Sequence, residues 1–142
     1  MATVPPRVQQ VVFDSTDPRS AAEFWRRLLG LVYRPGDEPP PLGADDPAGR
    51  NWLVLHLPDG SPLLAFQYVA ELRRPTWPDQ EVPQQVHLDL TVPDRAMLDE
   101  VHREVLELGG ALRVDRSADQ DEPLRVYADL DGHPFCISAV VS

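Results

Sequence analysis

The sequence predicts an α+β fold made of two βαβββ modules in tandem. Hydrophobic spacing changes from period two to helical and back again, in the same order, in each half of the chain. Each helical stretch opens on an aspartate, Asp17 or Asp94, and closes on glycine, Gly30 or Gly109 with Gly110. A shift of 77 residues lays Gln10 on His87 and Asp17 on Asp94, the mark of an internal duplication. A chain of 142 residues holds one such domain over residues 1–142, with module one at about 7–70, a linker at 71–82 and module two at about 83–142.

In module one, residues 8–14 (VQQVVFD) read as a strand with Val11 and Phe13 on one face and Gln10, Val12 and Asp14 on the other. Asp17 caps the helix and Pro18 takes its first position, where a missing N–H costs nothing. Ala21, Ala22, Phe24, Trp25, Leu28 and Leu29 form its apolar stripe, and Trp25 is read as packing between helix and sheet. Residues 31–34 make a short strand. Residues 35–50, with three consecutive prolines and several acidic residues, read as a surface excursion and a candidate mobile rim. Strands 51–57 and 63–69 form a hairpin turning at Asp59 and Gly60, with His56 an ordinary strand residue.

The linker is polar and carries Trp77 between Thr76 and Pro78. Module two opens on PQQVHLDLTVPD, which alternates strictly: Val86, Leu88, Leu90 and Val92 face one way, His87, Asp89 and Thr91 the other. A helix-covered apolar face and a polar face bearing a histidine and a carboxylate suit a strand whose second side lines a cavity. Asp94 then caps a helix with Leu98, Val101, Val105 and Leu108 at helical spacing. A short strand (111–114), an acidic loop (115–122) and a hairpin of strands 124–130 and 134–140, turning at Asp131 and Gly132, complete the module. His133 is read as a turn residue.

Thirteen basic against 23 acidic residues give a net charge of -10, which argues against nucleic acid or an anionic membrane as partner. Every basic side chain is arginine, so no lysine is available for Schiff-base chemistry. The single cysteine, Cys136, forms no intrachain disulfide and suits a reducing cytoplasm. Apolar runs are strand-length and MATVPPRVQ has no apolar core, so neither a membrane span nor a signal peptide is expected.

The Asp17-Pro18 start with EFWRRLLG, then PQQVHLDLTVPD, then DLDGHPFC, on a doubled βαβββ unit, resembles the glyoxalase/bleomycin-resistance/dioxygenase group, the vicinal oxygen chelate superfamily. The strings TWPDQEVPQQVHLDL and DGHPFCI are similar to its glyoxalase-like subgroup, and the resemblance covers nearly the whole chain. It implies a half-open, eight-stranded, barrel-like sheet around a ligand cavity with helices outside, and a homodimer. In metal-using members, the first and last strands of each module supply one ligand each. Carried onto this chain, those positions are Gln10, Gln67, His87 and Cys136.

Gln67 and Cys136 stand where that pattern has carboxylates, and a divalent ion in a partly dry cavity needs anionic ligands to offset lost hydration. Only a deprotonated Cys136 would supply charge. No metal or other cofactor is therefore expected; the alternative is a metal-dependent lyase, isomerase or dioxygenase built on His87. Asp89 is read as a hydrogen-bonding neighbour of His87, since two residues along a strand span ~7 Å. Cys136 is read as a packed small hydrophobe ahead of a nucleophile activated by His87.

The reading that asks least of these residues is a glyoxalase-like protein holding a neutral or cationic small molecule. Gln10, Val12, Ala65, Gln67, His87, Asp89, Thr91, Cys136 and Ser138 would line the cavity side of the sheet. The expected ligand-binding set is Gln10, Gln67, Trp77, His87, Asp89, Tyr127 and Cys136, where Trp77 and Tyr127 either wall the cavity or pack in the core.

Overall fold

The computed structural model describes residues 3–141, in two compact units, Met1–Glu71 and Leu72–Ser142. Met1, Ala2 and Ser142, which fall within the limits read from the sequence, lie outside the described residues. The boundary leaves the whole linker but Glu71 with the second unit.

The first unit runs β1 (Val11–Ser15), α1 (Pro18–Leu29), β2 (Val32–Tyr33), a 3-10 turn (Ala48–Arg50), β3 (Trp52–His56) and β4 (Pro62–Tyr68). Its sheet has the order β1-β4-β3-β2, with β1 parallel to β4 and the other pairs antiparallel. The second unit repeats this as β5 (Leu88–Val92), α2 (Arg95–Glu107), β6 (Ala111–Arg116), β7 (Leu124–Ala128) and β8 (Pro134–Ala139), in the order β5-β8-β7-β6 with β5 parallel to β8. The duplication read at 77 residues is thus a repeat of topology. Among the described residues each ladder stays within its own unit, so the eight strands make two four-stranded sheets.

Both helices start as their sequences require. The Asp17 carboxylate accepts from the Ser20 N–H with Pro18 next to it, and the Asp94 carboxylate accepts from the Met97 N–H. Gly30 ends α1 at φ 66°, a left-handed conformation that glycine adopts without strain. α1 buries Ala21, Ala22, Phe24 and Trp25, and Trp25 stacks on Phe13 with ring centroids 5.8 Å apart. α2 buries only Leu98 and Val105, over a core of Tyr127, Phe135 and Ile137.

Some boundaries differ from the sequence reading. β5 starts at Leu88 because its parallel partner β8 starts at Pro134, which has no N–H to extend the ladder toward His87. Val86 is accordingly exposed and not part of a buried face. β6 continues through Asp115 and Arg116, which pair with Arg125 and Leu124, so two residues assigned to the acidic loop belong to a strand.

The 35–50 excursion is tied to α1. The Arg19 guanidinium meets both Asp46 carboxylate oxygens at 2.8 and 2.9 Å, donates to the Asp37 carbonyl at 2.7 Å and lies 5.0 Å above the Tyr33 ring. Asp37 is buried, and its carboxylate accepts from the Val54 N–H at 3.1 Å, beyond the end of the two-residue β2. A side chain there takes the place of a missing strand partner. In the second unit Arg125 is buried, donating to the Leu98 carbonyl and to Asp99, with its Nε 3.3 Å from Asp115.

Candidate ligand cavity

The second sheet sorts its side chains by alternation. Tyr127, Phe135 and Ile137 turn toward α2; Cys136 and Ser138 of β8, Leu124 and Val126 of β7 and Asp89 of β5 take the opposite face. The ladder sets their order: Asp89 opposite Cys136, Cys136 opposite Val126, and Ser138 opposite Leu124. These residues, with Trp77, Gln84, His87, Arg116, Glu122 and Pro134, line a cavity of about 290 Å³ built wholly from the second unit.

Trp77 reaches the cavity because its segment is fastened down. Arg74 donates to the Leu130 carbonyl at 2.9 Å, passing over Gly132, where an added Cβ would come within 3.1 Å of the arginine. Thr76 and Val82 then close a small loop, Thr76 N–H to the Val82 carbonyl at 2.8 Å and Val82 N–H to the Thr76 hydroxyl at 2.9 Å. The Trp77-Pro78 peptide within it is cis.

His87 and Asp89 form a pair, Nε2 to Oδ1 at 3.2 Å, on the exposed side of the cavity. This is the neighbour relation expected from their spacing, and it leaves the imidazole Nδ1 outside the pair. Cys136 is half-buried; burial pushes its thiol up, and the Asp89 and Glu122 carboxylates push it further, against a smaller pull from Arg116. At neutral pH Cys136 is therefore a thiol and a poor nucleophile. Arg116 is itself 3.4 Å from Asp119.

Of the seven residues expected to bind ligand, the cavity gathers Trp77, His87, Asp89 and Cys136. Tyr127 is corrected: it is 0% exposed on the helix side of the sheet, its hydroxyl 2.9 Å from His102 Nδ1 and its ring stacked on Phe135, and burial raises its phenol to about 12. Gln10 and Gln67 belong to the first unit. The Gln10 side-chain oxygen is buried without a hydrogen-bond partner among the described residues, and Gln67 is exposed, 3.4 Å from Asp14.

The strand pairings also correct the equivalence drawn between Gln67 and Cys136. Val12 pairs with Ala65 as its duplicate Asp89 pairs with Cys136, and Asp14 pairs with Gln67 as Thr91 pairs with Ser138. The counterpart of Cys136 is therefore Ala65, which has no donor atom, and Gln67 matches Ser138. Among the described residues no three His, Cys, Asp or Glu side chains lie close enough to hold a metal ion.

The sequence reading missed Gln84, Arg116, Glu122, Leu124, Val126 and Pro134. The β7 pair follows from alternation once Cys136 is placed on the cavity face. Arg116 follows from counting by twos from Val114, a signal masked by the acidic composition around it.

Two βαβββ repeats, each with its first strand parallel to its last, define the architecture of the vicinal oxygen chelate superfamily. A family model described as a glyoxalase-like domain matches residues 10–138, and the chain belongs to that family. Among solved structures, a glyoxalase/dioxygenase from Nostoc punctiforme superposes with a TM-score of 0.66 at 20% identity, covering 100% of this chain and 99% of that one. A glyoxalase/bleomycin resistance protein/dioxygenase family enzyme from Burkholderia phytofirmans PsJN gives 0.66 at 13% identity, covering 94% and 98%. A mutant of the fosfomycin resistance protein FosX from Listeria monocytogenes, complexed with Mn(II) and dihydroxypropylphosphonic acid, gives 0.65 at 15% identity, covering 97% and 95%. At these identities the likeness is one of fold. A comparison with curated proteins finds no match. Among the described residues no helix is long and apolar enough to cross a membrane.

Proposed function

We propose that the protein is a small-molecule-binding member of the glyoxalase-like family whose receptor site is the second-unit cavity, and that it works without the superfamily's metal. The observation that supports this best is the cavity itself, where a hydrogen-bonded His87–Asp89 pair, a protonated Cys136 and Trp77 share about 290 Å³. That volume sits at the small end of ligand pockets, which run ~300–1,000 Å³. The lining mixes apolar wall and hydrogen-bonding groups, as suits a neutral or cationic molecule. The fuller reading is a cytoplasmic homodimer whose partner is that ligand, neither nucleic acid nor membrane.

A thermal-shift screen of neutral and cationic metabolites tests the reading. Stabilisers whose effect falls on Asp89→Asn or Trp77→Ala are expected; a broad library without a stabiliser dependent on those residues counts against it. The second reading, a metal-dependent lyase, isomerase or dioxygenase built on His87, draws on the Mn(II) complex of FosX. Elemental analysis of protein purified without a metal-affinity tag separates the two. Near-stoichiometric metal that is lost in His87→Ala would favour the second.

A further inference from the structure

We propose that this cavity selects an organic cation bearing N–H donors, an ammonium or amidinium on an apolar body, an assignment that rests on the cavity being the ligand site. The lining offers one buried acceptor without a partner among the described residues, the Gln84 oxygen, and two carboxylates at its exposed mouth, Glu122 and Asp89. Glu122 is fixed through its backbone, its N–H donating to the Asp119 carboxylate at 2.9 Å, while its own carboxylate makes no hydrogen bond or ion pair among the described residues. Gln84 lines the same cavity with its side-chain oxygen buried and without a hydrogen-bond partner among those residues. Asp89 adds a second carboxylate, held only by His87.

Charge points the same way. Arg116 is the one arginine in the lining, and it has Asp119 beside it at 3.4 Å, so the two cavity carboxylates are not neutralised from within. An anionic ligand would bring its charge against both. A neutral ligand without N–H or O–H groups would displace water from the exposed Glu122 carboxylate and return no donor. A cation with two or three N–H groups has donors for both Glu122 and Gln84, which share the lining. Its apolar body meets Leu124 and Val126, and Trp77 adds an aromatic ring, a group that attracts cations, to the same lining. The chain's net charge of -10 raises the local concentration of such ligands.

The test uses four probes of similar shape: 2-phenylethylamine, benzamidine, 2-phenylethanol and 3-phenylpropionate, titrated into the isotopically labelled full chain while the Trp77 indole and Gln84 side-chain amide signals are followed. Both cations should shift these signals, with the alcohol binding at least ~10-fold more weakly, a difference of ~1.4 kcal/mol, and the carboxylate leaving them unmoved. Glu122→Gln and Asp89→Asn, which preserve shape, should each weaken the amine ~10-fold and leave the alcohol unchanged. Binding of the alcohol as tight as that of the amine, indifferent to Glu122→Gln, overturns the cation assignment and leaves the cavity as the ligand site. Silence at Trp77 and Gln84 with all four probes overturns both.

Discussion

Asp89 stands directly opposite Cys136 in the parallel pairing of β5 with β8. That pairing ties the carboxylate to the sulfur electrostatically, since burial first and Asp89 second hold the thiol above its ordinary range. Fewer thiolates at a given pH mean slower alkylation. Cys136 should therefore react with iodoacetamide at pH 7 to 8 more slowly than an exposed model thiol. Asp89→Asn should speed the reaction only modestly, because burial remains. Measured rates against pH check this, and reaction at pH 7 as fast as that of free cysteine would sink it.

Arg125 is the most committed charge in the second unit. It is 8% exposed and joins β7 to the Leu98 carbonyl and Asp99 of α2, to the Ser117 hydroxyl and to Asp115 of β6. Its carboxylate partners are largely exposed and regain water when it is removed, so the loss falls below that of a fully buried pair. Arg125→Ala should cost about 2–3 kcal/mol through lost hydrogen bonds and the lost packing of its stem. Chemical denaturation measures this; a change under ~0.5 kcal/mol would show the network to be idle.

The same network sets a pH dependence. Ser117 first, through its hydroxyl and backbone, and then Arg125 hold the Asp115 carboxyl at about 2, down from 3.8. A carboxyl depressed in the folded state contributes stability that is present above its unfolded value and lost as pH falls through the folded one. Stability should decline between 3.8 and about 2 in part through Asp115, and Asp115→Asn should shallow that decline. Parallel thermal melts of the two proteins across this window check it, and slopes that coincide would remove Asp115 from the acid response.

Much of the fold was legible in the chain because its signals are local. Asp17 and Asp94 mark helix starts whatever surrounds them, and alternation around Asp89 names the face that carries it. The site was less legible, because its membership depends on register. Nothing in the sequence near Gln67 says that β4 offsets it two residues from the place of Cys136; the pairings of Val12 with Ala65 and of Asp14 with Gln67 show this. Tyr127 was misplaced for a related reason: a tyrosine suits a cavity wall and a core equally, and parity with Phe135 decides it. Glu122 and Arg116 were hidden in a run of charges that reads as solvated loop. The 35–50 excursion was legible as a loop but not as a fastened one, since Arg19 and Asp46 are 27 positions apart.

That fastening makes the last prediction. Asp37 accepts from the Val54 N–H where β2 has already ended, and Val54 is buried, so no water replaces the carboxylate when it is removed. Asp37→Ala should cost about 1–3 kcal/mol, the penalty of an unmade buried hydrogen bond. Asp37→Asn keeps an acceptor oxygen and should recover most of it. Arg19→Ala acts on the same loop from outside: it frees Asp46 and the Asp37 carbonyl without stripping Val54. It should speed hydrogen exchange across the loop while leaving the Val54 amide protected, whereas Asp37→Ala exposes that amide directly. Equal protection of Val54 in Asp37→Ala and the parent protein would show that something other than this carboxylate holds the end of β3.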